Sequence, residues 1–328
     1  HYNQPDFTSS FPETILLYEK RFQKPHVVGE FGVDFRGAKE TRENDPENIG
    51  LHNGLWAGLF SPTPILPLTW WWDTIIDADS LYSIFYSVAN FGKDMIESSD
   101  EIILFWVNHR IVHAGDEADL SDNLVLFPHK PWGKNTEPIF RIKENGLIQN
   151  KYKVPSFLFG SEKKGMRQPP TFKIHYQNDG KFRVHVNHVS GEGMLRIFLD
   201  EKLALEQPLR LAEENGDWEE RIWREEWSIY QGLFNKVYEI DVPAGFHAIR
   251  VQNDGIDWLE IVSYQFINCG VQNLEVLNVM GIRQKSDVYL WIRHEESFWK
   301  NVRYQGEPRT IVNAKMDVPL LSSGEYRI

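Results

Sequence analysis

The sequence has one cysteine, no lysine- or arginine-rich cluster and no long apolar run. Because Cys269 stands alone, no intrachain disulfide can form, and the redox compartment cannot be inferred. The net charge is −12, and basic residues do not cluster, so nucleic acid is not an expected partner. No apolar run approaches the about 18 residues of a membrane-spanning helix, so the membrane is not an expected partner either.

Aromatic residues are unusually frequent. The 328 residues include 12 Trp, 12 Tyr and 20 Phe, which together make 13% of the chain. Aromatic rings stack on the apolar faces of sugars, so this content favours a carbohydrate ligand. Large β-sandwich cores filled with aromatic side chains are the alternative explanation. The length allows two or three domains.

Glu30 is the most informative residue of the chain. The short β-branched run Val27-Val28 ends abruptly in Gly29-Glu30-Phe31-Gly32. This pattern is typical of a buried parallel strand that delivers one carboxylate to the mouth of a sheet or barrel. A glutamate in that place suits glycoside hydrolysis, in which two carboxyl groups face one sugar.

The chain changes character near residue 97. Up to there, helix-like and strand-like segments alternate, which is typical of a parallel α/β fold. Capping residues predict helices after Ser9-Ser10, after Asp45 and after Ser80, and a second strand runs from Leu66 to Trp72. Two strands alone leave both sheet edges open, so this segment is expected to be either one end of a larger barrel or a piece that is unstable alone.

From residue 98 onward short alternating runs predict antiparallel strands. They include Ile102 to Val107, Phe172 to Tyr176, Phe182 to Val186 and Trp258 to Phe266. Residues 201–236 read as a long charged loop with several tryptophans, which is expected to be functional or to pack against another domain. The predicted domains are an α/β segment (1–97), a β-sandwich (98–270) and a small β-rich domain (271–328).

Residues 1–93 resemble the last part of the (β/α)8 barrel of cellulase-type retaining glycosidases, from the end of strand six through helix eight. The resemblance is carried by Lys24-Pro25, by Val28 to Gly32 and by Leu68 to Asp73. In that clan the glutamate of strand seven is the nucleophile, and Glu30 is the residue that matches it. The resemblance implies substrate contacts by His1 and Tyr2, by Trp70, Trp71 and Trp72 on strand eight, and by Asp73.

The chain departs from this clan at the second catalytic carboxylate. The clan's acid/base glutamate follows an asparagine on strand four, and no Asn-Glu dipeptide occurs anywhere in the sequence. We therefore expect the first six strands, with the acid/base residue, to come from upstream sequence or from a separate chain. The remainder of the barrel is thus a predicted partner, and the chain alone is expected to be inactive.

A second resemblance covers about residues 155–268. The run from Val242 to Ile261 is similar to the final strands of jelly-roll carbohydrate-binding modules. This similarity makes Asn253 and Trp258 candidate sugar contacts. The alternative is that Trp258 packs in a core and that Asn253-Asp254-Gly255 forms a turn.

No metal or cofactor is expected from the sequence. His185 and His188 lie three positions apart on a predicted strand and would point to opposite faces, so they do not make a zinc site. A structural calcium ion held by carboxylates such as Asp254 or Asp257 stays open, although no ordered ligand loop is evident. There is also no phosphate-binding glycine loop and no serine nucleophile elbow.

The sequence therefore predicts an α/β plus all-β protein: barrel strands seven and eight, a jelly-roll sandwich and a small C-terminal β domain. The predicted function is retaining hydrolysis of a polysaccharide or oligosaccharide, and the resemblance implies an extracellular or periplasmic location. The alternative is a non-catalytic protein that binds carbohydrate or serves a structural role. Neither the sugar nor its linkage follows from these residues.

Overall fold

The computed structural model describes residues 4–96, 101–110, 123–130, 132–134, 136–214, 216–271, 276–308 and 310–311. Residue contacts group the chain into two compact units, one made of His1–Val112 with Glu275–Ile328 and the other of His113–Leu274. In the sequence, the second unit therefore interrupts the first. This grouping does not test the predicted division into domains 1–97, 98–270 and 271–328, which stays a prediction.

Helices dominate the first hundred residues and strands most of the rest. The helices are α1 (Phe7–Phe22), α2 (Ala38–Asn44), α3 (Ile49–Leu59), α4 (Tyr82–Ile96) and α5 (Trp299–Gln305), with a π-helical turn at Trp72–Asp77. The strands are β1 (Ile102–Arg110), β2 (Leu124–Leu126), β3 (Ile139–Arg141), β4 (Phe157–Phe159), β5 (Thr171–Tyr176), β6 (Gly180–Ser190), β7 (Gly193–Leu199), β8 (Lys202–Leu209), β9 (Glu220–Arg224), β10 (Ile229–Val242), β11 (Gly245–Asn253), β12 (Trp258–Ile267), β13 (Val276–Gln284) and β14 (Asp287–His294). Short 3₁₀ turns occupy Lys151–Lys153, Ser161–Lys163 and Glu225–Trp227.

The first unit combines the helices with a three-stranded antiparallel sheet in the order β1-β13-β14. Its main core lies between α1, α3 and the segment after Val28, where the rings of Phe7, Phe11 and Phe31 meet edge-on or tilted at 5.2–5.3 Å. Trp299 of α5 joins the same core. β1 pairs with β13 from Ile102–Gln284 to Arg110–Val276, so strands predicted for two different domains share one sheet.

The two predicted barrel strands are segments with very little β-pairing between them. The segment ending at Glu30 and the segment from Leu66 meet in one parallel bridge, Phe31–Thr69. Trp72 already starts the π-helical turn, so the second strand is shorter than predicted. The described part of the chain contains no barrel. Helices followed by sandwich-like β structure are confirmed, and the assignment to barrel strands seven and eight remains a proposal.

The second unit is a sandwich of two sheets. One sheet has the order β2-β12-β6-β10-β9, with β4 also paired to β12, and the other has the order β3-β5-β11-β7-β8. All pairs are antiparallel except β3–β5. Alternating burial along β5 and β6 turns one face of each sheet inward. Phe172 of β5 contacts Phe182, Tyr264 and Phe266 of the facing sheet at ring distances of 4.8–6.0 Å.

The region predicted as a long loop at residues 201–236 is instead largely strand. It contains β8, β9 and the beginning of β10. Its charged residues lie partly on the outer strands β8 and β9 and largely in the turns beside them. Many side chains of these two strands are exposed, so the alternation that marks a half-buried strand is weak there. None of the helices among the described residues is long and apolar enough to span a bilayer.

Asp45 caps α3 from a buried position, and its titration should appear in the stability of the protein. Its carboxylate accepts hydrogen bonds from the backbone N–H groups of Ile49 (2.9 Å) and Gly50 (2.7 Å). Burial, which outweighs these hydrogen bonds, raises the pKa of Asp45 to about 6. Because the folded state binds this proton more tightly, the contribution is full below about pH 4 and is lost as the pH rises through about 6.

We expect Asp45→Asn to remove this pH dependence, since an amide keeps one acceptor oxygen and carries no charge. The advantage of the wild type over Asp45→Asn in unfolding free energy should shrink by up to about 3 kcal/mol between pH 4 and pH 8. Urea unfolding across this range measures the difference. Asp287→Asn, a change at an exposed carboxylate, is the control. A pH-independent difference between wild type and Asp45→Asn would contradict the assignment.

Candidate functional site

Glu30 lies in a bulge between the two paired segments of the first unit. Leu68 donates its N–H to Val28 O at 3.0 Å, and its carbonyl accepts from Phe31 N at 3.0 Å. In a regular parallel ladder the two residues that bond to Leu68 would be two positions apart in sequence, whereas Val28 and Phe31 are three positions apart. The extra residue lets both Val28 and Phe31 face the core, while Gly29 and Glu30 are exposed. Bulges of this kind re-aim side chains and are over-represented beside active sites.

Trp70 follows the bridge on the facing segment and is 55% exposed. Its N–H donates to Phe31 O at 3.1 Å, so its backbone is fixed directly beside the residue that follows Glu30. An exposed indole held by a paired backbone is suited to stacking on a sugar face. Of the three predicted tryptophans, Trp70 therefore has the most suitable exposure and backbone position.

Trp71, Trp72 and Asp73 are placed differently. Trp71 is partly buried in the core, and its indole N–H donates to Asp34 O at 3.3 Å. Trp72 is partly exposed and packs on Phe85 of α4 at a ring distance of 5.0 Å. Asp73 is exposed, and its carboxylate accepts from Thr74 N at 2.9 Å in the π-helical turn. His1 and Tyr2 lie outside the described residues.

The loop after Glu30 contains a buried carboxylate that the sequence did not single out. Asp34 is almost fully buried and binds Arg36 through both oxygens, at 2.9 Å to Nε and 2.6 Å to an Nη. Asn44 donates to the same carboxylate at 2.8 Å. With the Trp71 hydrogen bond, these contacts fix the loop on one side of Glu30 to the segment carrying Trp70. The Asp-x-Arg spacing was the available signal, but nothing in it says that the aspartate is buried.

In the second unit, Asn253 has a structural role. It is only 2% exposed, and its amide oxygen accepts from Met194 N (3.2 Å) and Gly255 N (2.8 Å). Its amide nitrogen donates to Leu158 O at 3.2 Å. Because the backbone takes up both ends of this amide, the geometry favours the turn over a sugar contact.

Trp258 belongs to an aromatic cluster at the surface of the sandwich, which we call the Trp132 cluster. Trp132 is 48% exposed and meets the rings of Phe157, Phe159 and Trp258 edge-on at 4.9–6.1 Å. A groove next to it is lined by Phe157, Phe159, Arg167, Gln168, Gln252 and Asn253. Trp258 itself is partly buried beneath Trp132, which is the more accessible ring. No sequence pattern singled out Trp132, which is remote from Trp258 along the chain.

The carboxylates considered for calcium are engaged with cationic side chains. Asp254 accepts hydrogen bonds from Arg167, Arg196 and Gln252. Asp257 accepts from Ser190 at 2.7 Å and lies 3.6 Å from the ammonium of Lys163. No group of three or more His, Cys, Asp or Glu side chains suited to a metal ion occurs in the part of the chain that the structure describes. Structural calcium at these positions stays a prediction.

Comparisons with known proteins give distant similarity only. No protein-family model matches the chain, and no curated protein matches it. A cycloisomaltooligosaccharide glucanotransferase from Paenibacillus sp., solved with cycloisomaltoheptaose, is 14% identical over 29% of this chain and 12% of its own, with a TM-score of 0.19. A GH26-CBM35 β-(1,4)-mannanase from Podospora anserina is 12% identical over 49% of this chain and 27% of its own, with a TM-score of 0.21.

The catalytic domain of a GH87 α-1,3-glucanase, solved with tetrasaccharides, is 10% identical over 52% of this chain and 28% of its own, with a TM-score of 0.21. The chain thus spans 12–28% of the length of these three proteins. This is weak and partial similarity to carbohydrate-active enzymes. Similarity at this level establishes neither a shared fold nor an activity.

Proposed function

We propose that this chain is part of a retaining glycoside hydrolase that acts on a polysaccharide or oligosaccharide, in an extracellular or periplasmic setting. Glu30 is the nucleophile of this proposal. One observation carries it: Glu30 stands exposed in an extra-residue bulge between two segments paired in parallel, and the exposed Trp70 follows the bridge on the facing segment. A glycosidase nucleophile needs an accessible carboxylate. An exposed aromatic ring on the paired segment adds a surface on which a sugar can stack.

The mechanism follows from the roles of two carboxyl groups. Glu30 attacks the anomeric carbon as the glycosidic bond breaks, and a glycosyl-enzyme ester forms. A second carboxylic acid protonates the leaving oxygen and then, as carboxylate, takes a proton from the water that hydrolyses the ester. We assign this second group to polypeptide that completes the barrel. Trp70 supports the ring, and Asp34 with Trp71 holds the loop beside Glu30 in place.

A mechanism-based fluoro-sugar tests the role of Glu30 directly. Applied to the complete enzyme, in which the rest of the barrel is present, it should form a stable ester on Glu30 that peptide mass spectrometry locates. The label should be absent from a Glu30→Gln variant. A label on another carboxylate would remove Glu30 from the nucleophile role.

A second candidate function, glycan binding without catalysis, is favoured by the Trp132 cluster. Its exposed indole offers a stacking surface, and Arg167, Gln168 and Gln252 of the adjacent groove add polar groups beside it. Both functions are compatible in one protein, since the cluster and Glu30 belong to different units. If the complete protein binds glycan but the fluoro-sugar labels none of its carboxylates, the second candidate alone is favoured.

A further inference from the structure

The outer strand of the larger sandwich sheet, β9, pairs with no other strand than β10 in the part of the chain described. Such an edge presents unpaired backbone N–H and C=O groups, which natural sheets usually protect with charged side chains (especially lysine), with proline or with a bulge on the edge strand. β9 contains neither lysine nor proline, but it carries the charges of Glu220, Arg221 and Arg224, so only a strand with complementary charges fits it. Its pairing with β10 is regular from Ile229–Arg224 to Leu233–Glu220. It therefore offers an intact five-residue template for another strand.

The exposed side chains of β9 are apolar as well as charged. Ile222 is 51% exposed and Trp223 is 41% exposed, and Trp227 in the following turn is 62% exposed. Exposed apolar residues on a sheet edge mark an interaction surface more often than isolated surface residues do.

The charges of β9 are complementary to those of a second β9 in one antiparallel register. If two copies pair about a two-fold axis through Ile222, Glu220 of each copy faces Arg224 of the other, and Ile222 faces its own equivalent. On the opposite face of the strand, Arg221 of each copy faces Trp223 of the other. Opposite charges and cation–aromatic pairs directly across two strands are both favourable.

Arg221 and Trp223, the two side chains on the opposite face of β9, are already held in place within one copy. The guanidinium of Arg221 lies over the rings of Trp218 and Tyr230 at 4.8 and 4.9 Å, and it donates to Leu211 O at 2.7 Å. Trp223 meets Tyr230 edge-on at 4.8 Å. Because these groups are held in place before association, little side-chain freedom is lost when a partner strand arrives.

We propose that the protein forms a homodimer in which β9 pairs antiparallel with β9 of a second copy, about a two-fold axis through Ile222. The pairing joins the two six-stranded sheets into one continuous sheet. The dimer depends on Glu220 and Arg224 for its register, on Ile222 for its apolar contact and on Trp223 for its contact with Arg221 of the other copy. It is independent of the proposed catalytic role of Glu30, which lies in the other unit.

Charge reversal tests both the dimer and its register. Sedimentation equilibrium of the full chain should show a monomer–dimer equilibrium. Either Glu220→Arg or Arg224→Glu places like charges opposite each other twice and should raise the dimer dissociation constant about tenfold or more. The double variant Glu220→Arg/Arg224→Glu restores opposite charges and should return the constant to within about threefold of wild type. Lys202→Glu on β8, the outer strand of the other sheet, is the matched control and should have no effect.

Three results would overturn the proposal. One is a wild-type protein that stays monomeric up to about 100 μM, a concentration well above typical specific dissociation constants. Another is a dimer that ignores both single reversals or that the double variant does not restore. The third is a monomer in which Trp223 contacts a glycan instead, shown by loss of glycan binding in Trp223→Ala. Circular dichroism of each variant verifies that the sandwich is folded.

Discussion

Replacing Glu30 by glutamine should lower the turnover of the complete enzyme by about 10³-fold or more, because the amide cannot form the glycosyl ester. This loss corresponds to about 4 kcal/mol of transition-state stabilisation. Glutamine preserves the shape of the side chain, and Glu30 is exposed, so folding and substrate affinity should be retained. Steady-state kinetics on an activated aryl glycoside, with binding measured separately, distinguish a loss of chemistry from a loss of affinity.

The same change at Glu13, an exposed residue of α1, is the matched control for Glu30→Gln and should leave turnover unchanged. The 328-residue chain tested alone should show no turnover, since the acid/base group is assigned to polypeptide that completes the barrel. Near-normal activity in Glu30→Gln would refute the nucleophile role. Full activity of the chain alone would instead refute the placement of the acid/base group, so the two parts of the proposal fail separately.

The sequence was sufficient where structure is locally encoded. The alternation in Phe172 to Tyr176 and Phe182 to Val186 predicted β5 and β6, because one sheet face must be buried and the other need not be. Asp45 predicted the start of α3 through its capping carboxylate. Even there, α1 begins at Phe7, capped by Asp6, and not after Ser9-Ser10 as expected, so Pro12 lies inside the helix. Asp6, which the sequence analysis did not consider, supplies the cap, and Phe7 at the start of the helix packs against the core.

The sequence was insufficient where structure depends on distant partners. The pairing of β1 with β13 joins segments separated by the whole second unit, and neither strand's pattern identifies the other. The bulge that exposes Glu30 likewise depends on the backbone hydrogen bonds that join Val28 and Phe31 to Leu68, which lies in a separate segment of the sequence. Glu30 could therefore be selected by its neighbours in sequence, but its exposure could not. Charged outer strands such as β9 lacked a periodic signal altogether.

Replacing Arg293 on β14 should produce a large loss of stability in the first unit. Its guanidinium donates to Asp6 at 2.9 Å, to Thr8 Oγ1 at 2.6 Å and to Asn278 Oδ1 at 3.0 Å. The side chains of Arg293 and Asp6 are both only 6% exposed. They join the start of α1 to a strand nearly three hundred residues later, so this ion pair ties together the two ends of a unit that the sandwich interrupts in sequence.

We expect Arg293→Met to lower the unfolding free energy by about 3–5 kcal/mol, because the Asp6 carboxylate is left buried without a cation. Asp6→Asn in the same chain removes that uncompensated charge, so the double variant should be more stable than Arg293→Met alone. Urea unfolding followed by the helical circular dichroism signal reports on this unit, because helices α1 to α5 all belong to it. Lys39→Met, which breaks the exposed pair with Glu43, is the control and should change stability by less than about 0.5 kcal/mol. A similarly small effect of Arg293→Met would show that this ion pair contributes little to joining the two sequence segments of the unit.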